Sequence, residues 1–348
     1  MAIFTYKCPN CNAGLIFNPE KKQFFCEYCN SEFTESELSM RAPKEDASGE
    51  ENESDDEFVS HMSVYSCPTC GAEIMSDDTT AATFCVYCHH PVILSGRLTG
   101  NIKPEQVIPF AFDKKTVKEH FSKWVKKRRF IKEDFYSASQ MEKLCGVYFP
   151  FWIVYGRADA GMQATGKTKR VWRSGETEYT ETKVYEVIRN GEMAFSDITI
   201  KALNKDSAKM LNGIYPYDTN GLKHFSMAYL SGFLAEKRNV ERENAAPEAY
   251  SIIRQSGEKL LRDTISGYTS LDVRHLAVTP VNEYWRYALM PAWLLTYTYN
   301  GKKFYFAMNG QTGKVAGRVP VSRRKLITLF AAVAGLTSAV MILVGVLM

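Results

Sequence analysis

Eight of the nine cysteines fall into four Cys-x-x-Cys pairs, and the pairs form two matched sets. Cys8, Cys11, Cys26 and Cys29 make the first set; Cys67, Cys70, Cys85 and Cys88 make the second, with fourteen residues between the inner cysteines each time. The flanks repeat as well: Tyr6-Lys7-Cys8-Pro9 is echoed by Tyr65-Ser66-Cys67-Pro68, and Phe25-Cys26-Glu27-Tyr28-Cys29 by Phe84-Cys85-Val86-Tyr87-Cys88. A module of about 30 residues therefore occurs twice. Each pair offers two thiolates from one tight turn, and two such turns on adjacent hairpins close a tetrahedral site. The residue after each second cysteine is Asn12, Asn30, Gly71 or His89, types that enter the left-handed region such turns use. We expect two zinc ions per chain, both structural, because four thiolates leave no position open for water. Met1 to Tyr6 has no apolar core of a secretory leader, which fits reduced thiols. His89 and His90 read as turn residues, and Cys145, in Leu144-Cys145-Gly146, as a small apolar side chain.

Modules this small bury little by themselves, and the rest of the 348 residues must supply the main core. Between the cysteine sets, Lys44 to Glu57 holds eight acidic residues and one lysine, too self-repelling to pack. A basic amphipathic helix follows over 113–130, capped by Asp113, with Val117, Phe121, Trp124 and Val125 on one face and lysines and arginines around them. That helix can face lipid headgroups, the acidic linker or nucleic acid. From about Gly146 the pattern becomes strands. Asn190-Gly191 and Asn300-Gly301 each sit between strand-like runs and predict hairpin turns. Helical periodicity returns over Pro247–Ile265, with Pro247 in the first turn and Ala249, Ile252, Ile253, Ser256 and Leu260 on one face. Pro150-Phe151-Trp152 and Pro291-Ala292-Trp293, each read as entering a strand, hint at a duplication.

Gly161-Met162-Gln163-Ala164-Thr165-Gly166-Lys167-Thr168 satisfies the phosphate-loop pattern, but the strand-like residues after it do not supply the helix such a loop must open. We find no other catalytic constellation and expect no enzyme. At the other end, Leu326 to Met348 is 23 residues without a charge, preceded by Arg323-Arg324-Lys325. As a helix it spans roughly 34 Å against a hydrocarbon core of about 30 Å, so it predicts a single-pass tail anchor with residues 1–325 cytoplasmic.

The expected class is α+β, with two small N-terminal four-cysteine zinc ribbons, a strand-rich α+β middle domain and one C-terminal transmembrane helix. The boundaries are ribbon 1 at 1–34, a flexible acidic linker at 35–60, ribbon 2 at 61–95, a cytoplasmic α+β domain at 104–322, and the basic flank with the tail anchor at 323–348. With both cysteine sets, Tyr148-Phe149-Pro150-Phe151-Trp152 and Met308-Asn309-Gly310-Gln311-Thr312-Gly313-Lys314 in place, the chain resembles the bacterial membrane-anchored TFIIB-type zinc-ribbon-containing (YdjG-like) proteins. The resemblance implies a non-enzymatic adaptor at the cell membrane, working with a PspA-like membrane-remodelling protein and an SPFH (flotillin-like) protein in the envelope stress response. A membrane-tethered nucleic-acid-binding module is the alternative; the acidic linker and a net charge of only +4 argue against it. Which partner is bound, and how many chains assemble, is not written in these patterns.

Overall fold

The computed structural model describes residues 8–11, 15–19, 21, 23–26, 28–34, 37–38, 62–66, 73–77, 80–84, 91–93, 103–205 and 210–347. Lys44 to Glu57 and the four cysteines of the second set lie outside them. Near the N-terminus, β1 (Leu15–Asn18), β2 (Gln23–Cys26) and β3 (Glu32–Phe33) form a small antiparallel sheet. The strands β4 (Met62–Ser66) and β5 (Glu73–Asp77) pair with each other. The strands β6 (Thr80–Phe84) and β7 (Pro91–Ile93) instead join the edge of the main sheet.

That sheet is organised by two very long strands. After β8 (Gln106–Val107), helix α1 (Lys114–Lys126) and the short helix α2 (Ala138–Glu142) come β9 (Cys145–Ser174) and β10 (Thr177–Lys201). The chain continues through β11 (Lys223–His224), β12 (Leu234–Glu236) and helix α3 (Arg242–Asp263) into β13 (Ser270–Tyr299). It ends with β14 (Lys302–Asn309), β15 (Val315–Arg318) and helix α4 (Arg323–Leu347). The order β11-β8-β13-β9-β12-β6-β7 carries β10 on β9, and β14 then β15 on β13. The strands β9 and β13 are 30 residues each and lie antiparallel, from Cys145 opposite Leu294 to Lys167 opposite Ser270. At about 3.3 Å per residue each is roughly 100 Å of chain, far beyond what one core can cover.

Residues 146–154, at the start of β9, and 287–295, in the C-terminal half of β13, are buried on both faces. One face meets Val117, Phe121 and Trp124 of α1 and the segment Tyr229–Phe233; the other meets Leu203, Leu211, Ile214 and Tyr217. The α1 face is the one the sequence predicts, and the Thr116 amide donates to Asp113 Oδ1 at 2.8 Å as the cap. Beyond the core the ribbon runs on as an arm. The α3 helix covers one face of it, while Val171, Trp172 and Tyr179 near the tip stay exposed, the two rings stacked at 5.7 Å.

The two Pro-x-Trp motifs lie within these strands and not at their starts. Pro150 falls where β9 exchanges its neighbour β12, paired at Val147–Tyr148, for β10, which begins at Phe151. Pro291 falls where β13 exchanges β8, paired at Ala288–Leu289, for β14, which begins at Ala292. Proline has no amide to give a ladder, so a switch point is where it does least harm. The two sites face each other, Tyr148 opposite Pro291 and Pro150 opposite Leu289.

Asn300-Gly301 makes the expected two-residue hairpin, with φ of 49° and 70° and Tyr299 opposite Lys302. Asn190-Gly191 does not. It lies mid-strand, opposite Ala160 and Gly161, and the turn falls instead at Gly175-Glu176, where Gly175 has φ of 63°. The α3 helix begins at Arg242, placing Pro247 inside it, and its buried residues are Ala245, Ala249, Ile253, Gly257 and Leu261. Ile252 and Leu260, expected on the packed face, are exposed.

The segment Met308–Lys314 is a structural clip. Asn309 is fully buried; its Nδ2 donates to the carbonyls of Ile214 at 3.0 Å and Pro216 at 3.2 Å, and its Oδ1 accepts from the amides of Gln311 and Thr312. Gln311 bonds the backbone of Asp218 in both directions. Asn309→Ala orphans four backbone groups at once and is expected to cost about 2–4 kcal/mol. Denaturant titration of the variant checks this, and an unchanged midpoint would refute the clip.

Candidate metal centre

The first cysteine set assembles around the β1–β2 hairpin. Cys8 and Cys11 come from the turn before it; Cys26 ends β2, opposite Leu15, and Cys29 follows in the next turn. That turn is closed by the Asn30 amide donating to Cys26 O at 2.9 Å and the Cys26 amide donating to Ser31 O at 3.0 Å. Asn30 has φ of 56°, the left-handed conformation its place after the second cysteine predicts. The other positions in that argument, Asn12, Gly71 and His89, lie outside the described residues, as does His90.

The four sulfurs lie within 4.8 Å of one another, with Cys8 to Cys29 and Cys11 to Cys26 both at 3.4 Å. A disulfide needs about 2.05 Å, so these are separate thiols. Four thiolates at about 2.3 Å from one ion stand roughly 3.8 Å apart on a tetrahedron, and the observed spacing brackets that value. The cluster can hold one metal ion. Cys8 and Cys26 are buried and Cys11 and Cys29 face solvent. The Ser31 side chain and backbone hydrogen-bond the Cys29 sulfur and lower its thiol to about 6, which favours the thiolate a metal requires. The Asn10 amide donates to Cys8 Sγ at 3.4 Å.

The cluster is not isolated. Phe17 and Phe24 reach Tyr229 with ring centroids 5.3 Å and 6.5 Å apart, and the Phe17 amide donates to Ser231 O at 3.2 Å. These contacts, invisible in the sequence pattern, tie the small sheet to the main body. Cys67, Cys70, Cys85 and Cys88 lie outside the described residues, but the strands near them repeat the first set's layout. The strand β7 begins three residues after Cys88, as β3 begins three after Cys29, and β6 ends beside Cys85, as β2 ends at Cys26.

The remaining sequence candidates resolve simply. Gly161 to Thr168 is the interior of β9, with Gly161 between Asn190 and Ala277 and Lys167 between Val184 and Ser270. A strand hydrogen-bonded on both sides offers no cradle of free amides, and its glycines answer to packing. A Cβ on Gly166 would meet the Tyr268 ring at 2.5 Å. The Cys145 thiol, pushed up to about 11 by burial, lies 3.7 Å from Leu294 O and behaves as a core side chain.

At the other end, α4 holds one segment, Arg323–Ile342, long and apolar enough to cross a membrane, none of it buried against the protein. Phe330, Leu336 and Met341 are among its exposed side chains. The foot of the helix is fixed by the Ser322 amide donating to Phe130 O at 2.7 Å and by Lys325 paired with Glu133 at 2.9 Å.

No family model matches the chain, and no solved structure matches it. The Bacillus subtilis (strain 168) "Uncharacterized protein YdjG" is 34% identical over 348 residues, covering 99% of this chain and 98% of that protein. At that identity along the whole length, this chain belongs to the same family as YdjG.

Proposed function

We propose that this protein is a non-enzymatic, membrane-anchored zinc-ribbon adaptor that recruits cytoplasmic partner proteins to the membrane. The observation that carries this reading is the division of labour between its two ends. One end brings together four cysteine sulfurs able to fill a tetrahedral shell by themselves, and the other is an apolar helix whose membrane-length window is not buried among the described residues. Zinc occupies Cys8, Cys11, Cys26 and Cys29, and a second zinc occupies Cys67, Cys70, Cys85 and Cys88. The α4 helix crosses the cell membrane, and Arg323-Arg324-Lys325 keeps the folded part cytoplasmic. Tyr28, 83% exposed on the turn between Cys26 and Cys29, offers an aromatic anchor of the kind that dominates protein interfaces. The proposed partners are a PspA-like and an SPFH-like protein in an envelope stress response.

Imaging a fluorescently tagged PspA-like or SPFH-like protein in cells is the test. Membrane recruitment is expected with the wild-type chain and to fall several-fold with Tyr28→Ala at equal expression. A partner distribution that is the same with and without the chain would sink the adaptor reading.

A further inference from the structure

The sequence shows one basic run beside the apolar tail; the fold adds a second from nearly two hundred residues earlier. After α1, the chain passes through Lys126-Lys127-Arg128-Arg129 and then pairs Ile131 with Val321 in an antiparallel bridge. The bridge is extended by the Ser322 amide donating to Phe130 O at 2.7 Å and the Lys132 amide donating to Pro320 O at 3.1 Å. Lys325 Nζ reaches back to Ile131 O at 3.4 Å and to Glu133 at 2.9 Å. Arg129 and Arg323 thus each stand two residues from the bridged pair, and the two basic runs share the foot of α4.

Their charge is uncommitted. Lys123, Lys126, Lys127, Arg128, Arg129, Arg323 and Arg324 are all exposed, and none has a carboxylate partner among the described residues. The acids beside the Ile131–Val321 pair are engaged, Glu133 by Lys325 and Asp134 by Lys132 at 2.8 Å, and Glu119 lies a turn back along α1 from Lys123. The arginine closest to the core is held in place, its guanidinium 3.9 Å over the Trp124 ring and its Nη1 donating to Trp124 O at 3.0 Å. The Lys132 ammonium sits over Tyr299 at 3.9 Å, which places an aromatic side chain at the same level.

We propose that the C-terminal end of α1 and the foot of α4 form one composite site for the anionic phospholipid headgroups of the leaflet that α4 enters. This rests on α4 crossing a membrane, as proposed above. The headgroup layer on each side of a bilayer is roughly 5–7 Å deep, and charges are screened beyond about 8 Å at physiological salt. The antiparallel Ile131–Val321 pair sets Arg129 opposite Arg323, the first residue of the apolar segment, so both basic runs stand where the span begins and within reach of the headgroup layer, whereas a solvated helix face elsewhere on the protein would not. The site therefore docks the folded part against the membrane surface in one orientation.

The test uses the full chain reconstituted into phosphatidylcholine vesicles carrying a trace of spin-labelled phosphatidylglycerol or phosphatidylcholine. The motionally restricted fraction of each label, read by electron paramagnetic resonance, gives the relative association of the two lipids. The expected result is a preference for phosphatidylglycerol of about threefold or more, collapsing toward one at about 0.5 M salt. Lys126→Gln/Lys127→Gln/Arg129→Gln and, separately, Arg323→Gln/Arg324→Gln are each expected to remove about half of the excess, with circular dichroism unchanged. If only the second variant has an effect, the composite site is wrong. A wild-type chain that resists carbonate extraction yet shows no lipid preference overturns this inference alone, while one that washes off the vesicles overturns the membrane reading beneath it. Retention of a labelled oligonucleotide that is lost in the first variant, without a lipid preference, reassigns the surface to nucleic acid and likewise overturns the proposal.

Discussion

Cys26→Ser is expected to lower the metal content from about two zinc ions per chain to about one, and to loosen structure well outside the cysteine cluster. Cys26 is fully buried at the end of β2, and a serine there offers a hard, protonated oxygen where a thiolate is needed. Among the described residues, this small N-terminal module buries Leu15, Phe17, Pro19, Phe24 and Leu38 besides its cysteines, too little to stand alone. Structural zinc can contribute an apparent 10–16 kcal/mol, roughly, so the sheet should not survive its loss. Phe17 and Phe24 then leave Tyr229, and amides of Met227–Phe233 are expected to exchange at least about tenfold faster. The β9–β13 ladder should keep its protection, because its core does not depend on those rings. Elemental analysis and hydrogen exchange on the same preparation decide this. Unchanged metal content, or iron in place of zinc, refutes the site; melting of the whole ladder refutes the separation.

Removing residues 326–348 is expected to move almost all of the protein from the membrane pellet to the soluble fraction. The deleted segment carries no charge, and an exposed apolar helix of this length favours the bilayer far beyond what the remaining surface charges can supply. None of its membrane-length window is buried among the described residues, so no core contact of theirs is lost; Lys325 and its bond to Glu133 remain. The thermal midpoint of the truncated chain should therefore fall by no more than about 2 °C relative to the full chain. Fractionation with a carbonate wash reads the first expectation and calorimetry the second. A truncated protein still embedded after the wash would place the anchor elsewhere.

Much of the candidate site is legible in the residues because it rests on local chemistry. The spacing of Cys8, Cys11, Cys26 and Cys29 and the asparagine at position 30 anticipate the cluster and its left-handed turn. The cap at Asp113 and the turn at Asn300-Gly301 are local in the same sense. What escaped is set by partners distant in sequence. The hairpin preference of Asn190-Gly191 is overridden by a ladder that runs unbroken through both residues, opposite β9. On α3, Ala249 and Ile253 are buried as their spacing predicts, but Ile252 and Leu260 are exposed, because the helix turns Ala245, Gly257 and Leu261 to the sheet instead and lies close to it at Gly257. A Cβ on Gly257 would meet Val278 at 2.9 Å and Met193 Sδ at 3.0 Å. The prolines at 150 and 291 mark changes of neighbouring strand, which no single strand records.

The length of β13 has a mechanical consequence. Its C-terminal end, Tyr299, touches Lys132 beside the bridge that fixes α4, and its N-terminal end, Ser270, pairs with Lys167 far along the arm. One strand thus runs from the foot of α4 to the distal ribbon, with β9 alongside it over most of that length through two register shifts. A load applied to the distal hairpin is carried along the strand direction, where many backbone hydrogen bonds share it in shear and none can be peeled singly. The ribbon is a long lever seated at the foot of α4, with its tip up to roughly 100 Å away along its contour and the exposed Trp172 and Tyr179 rings beside that tip; the ladder shifts register at Val273/His275 and Pro280/Asn282, the places where such a lever bends.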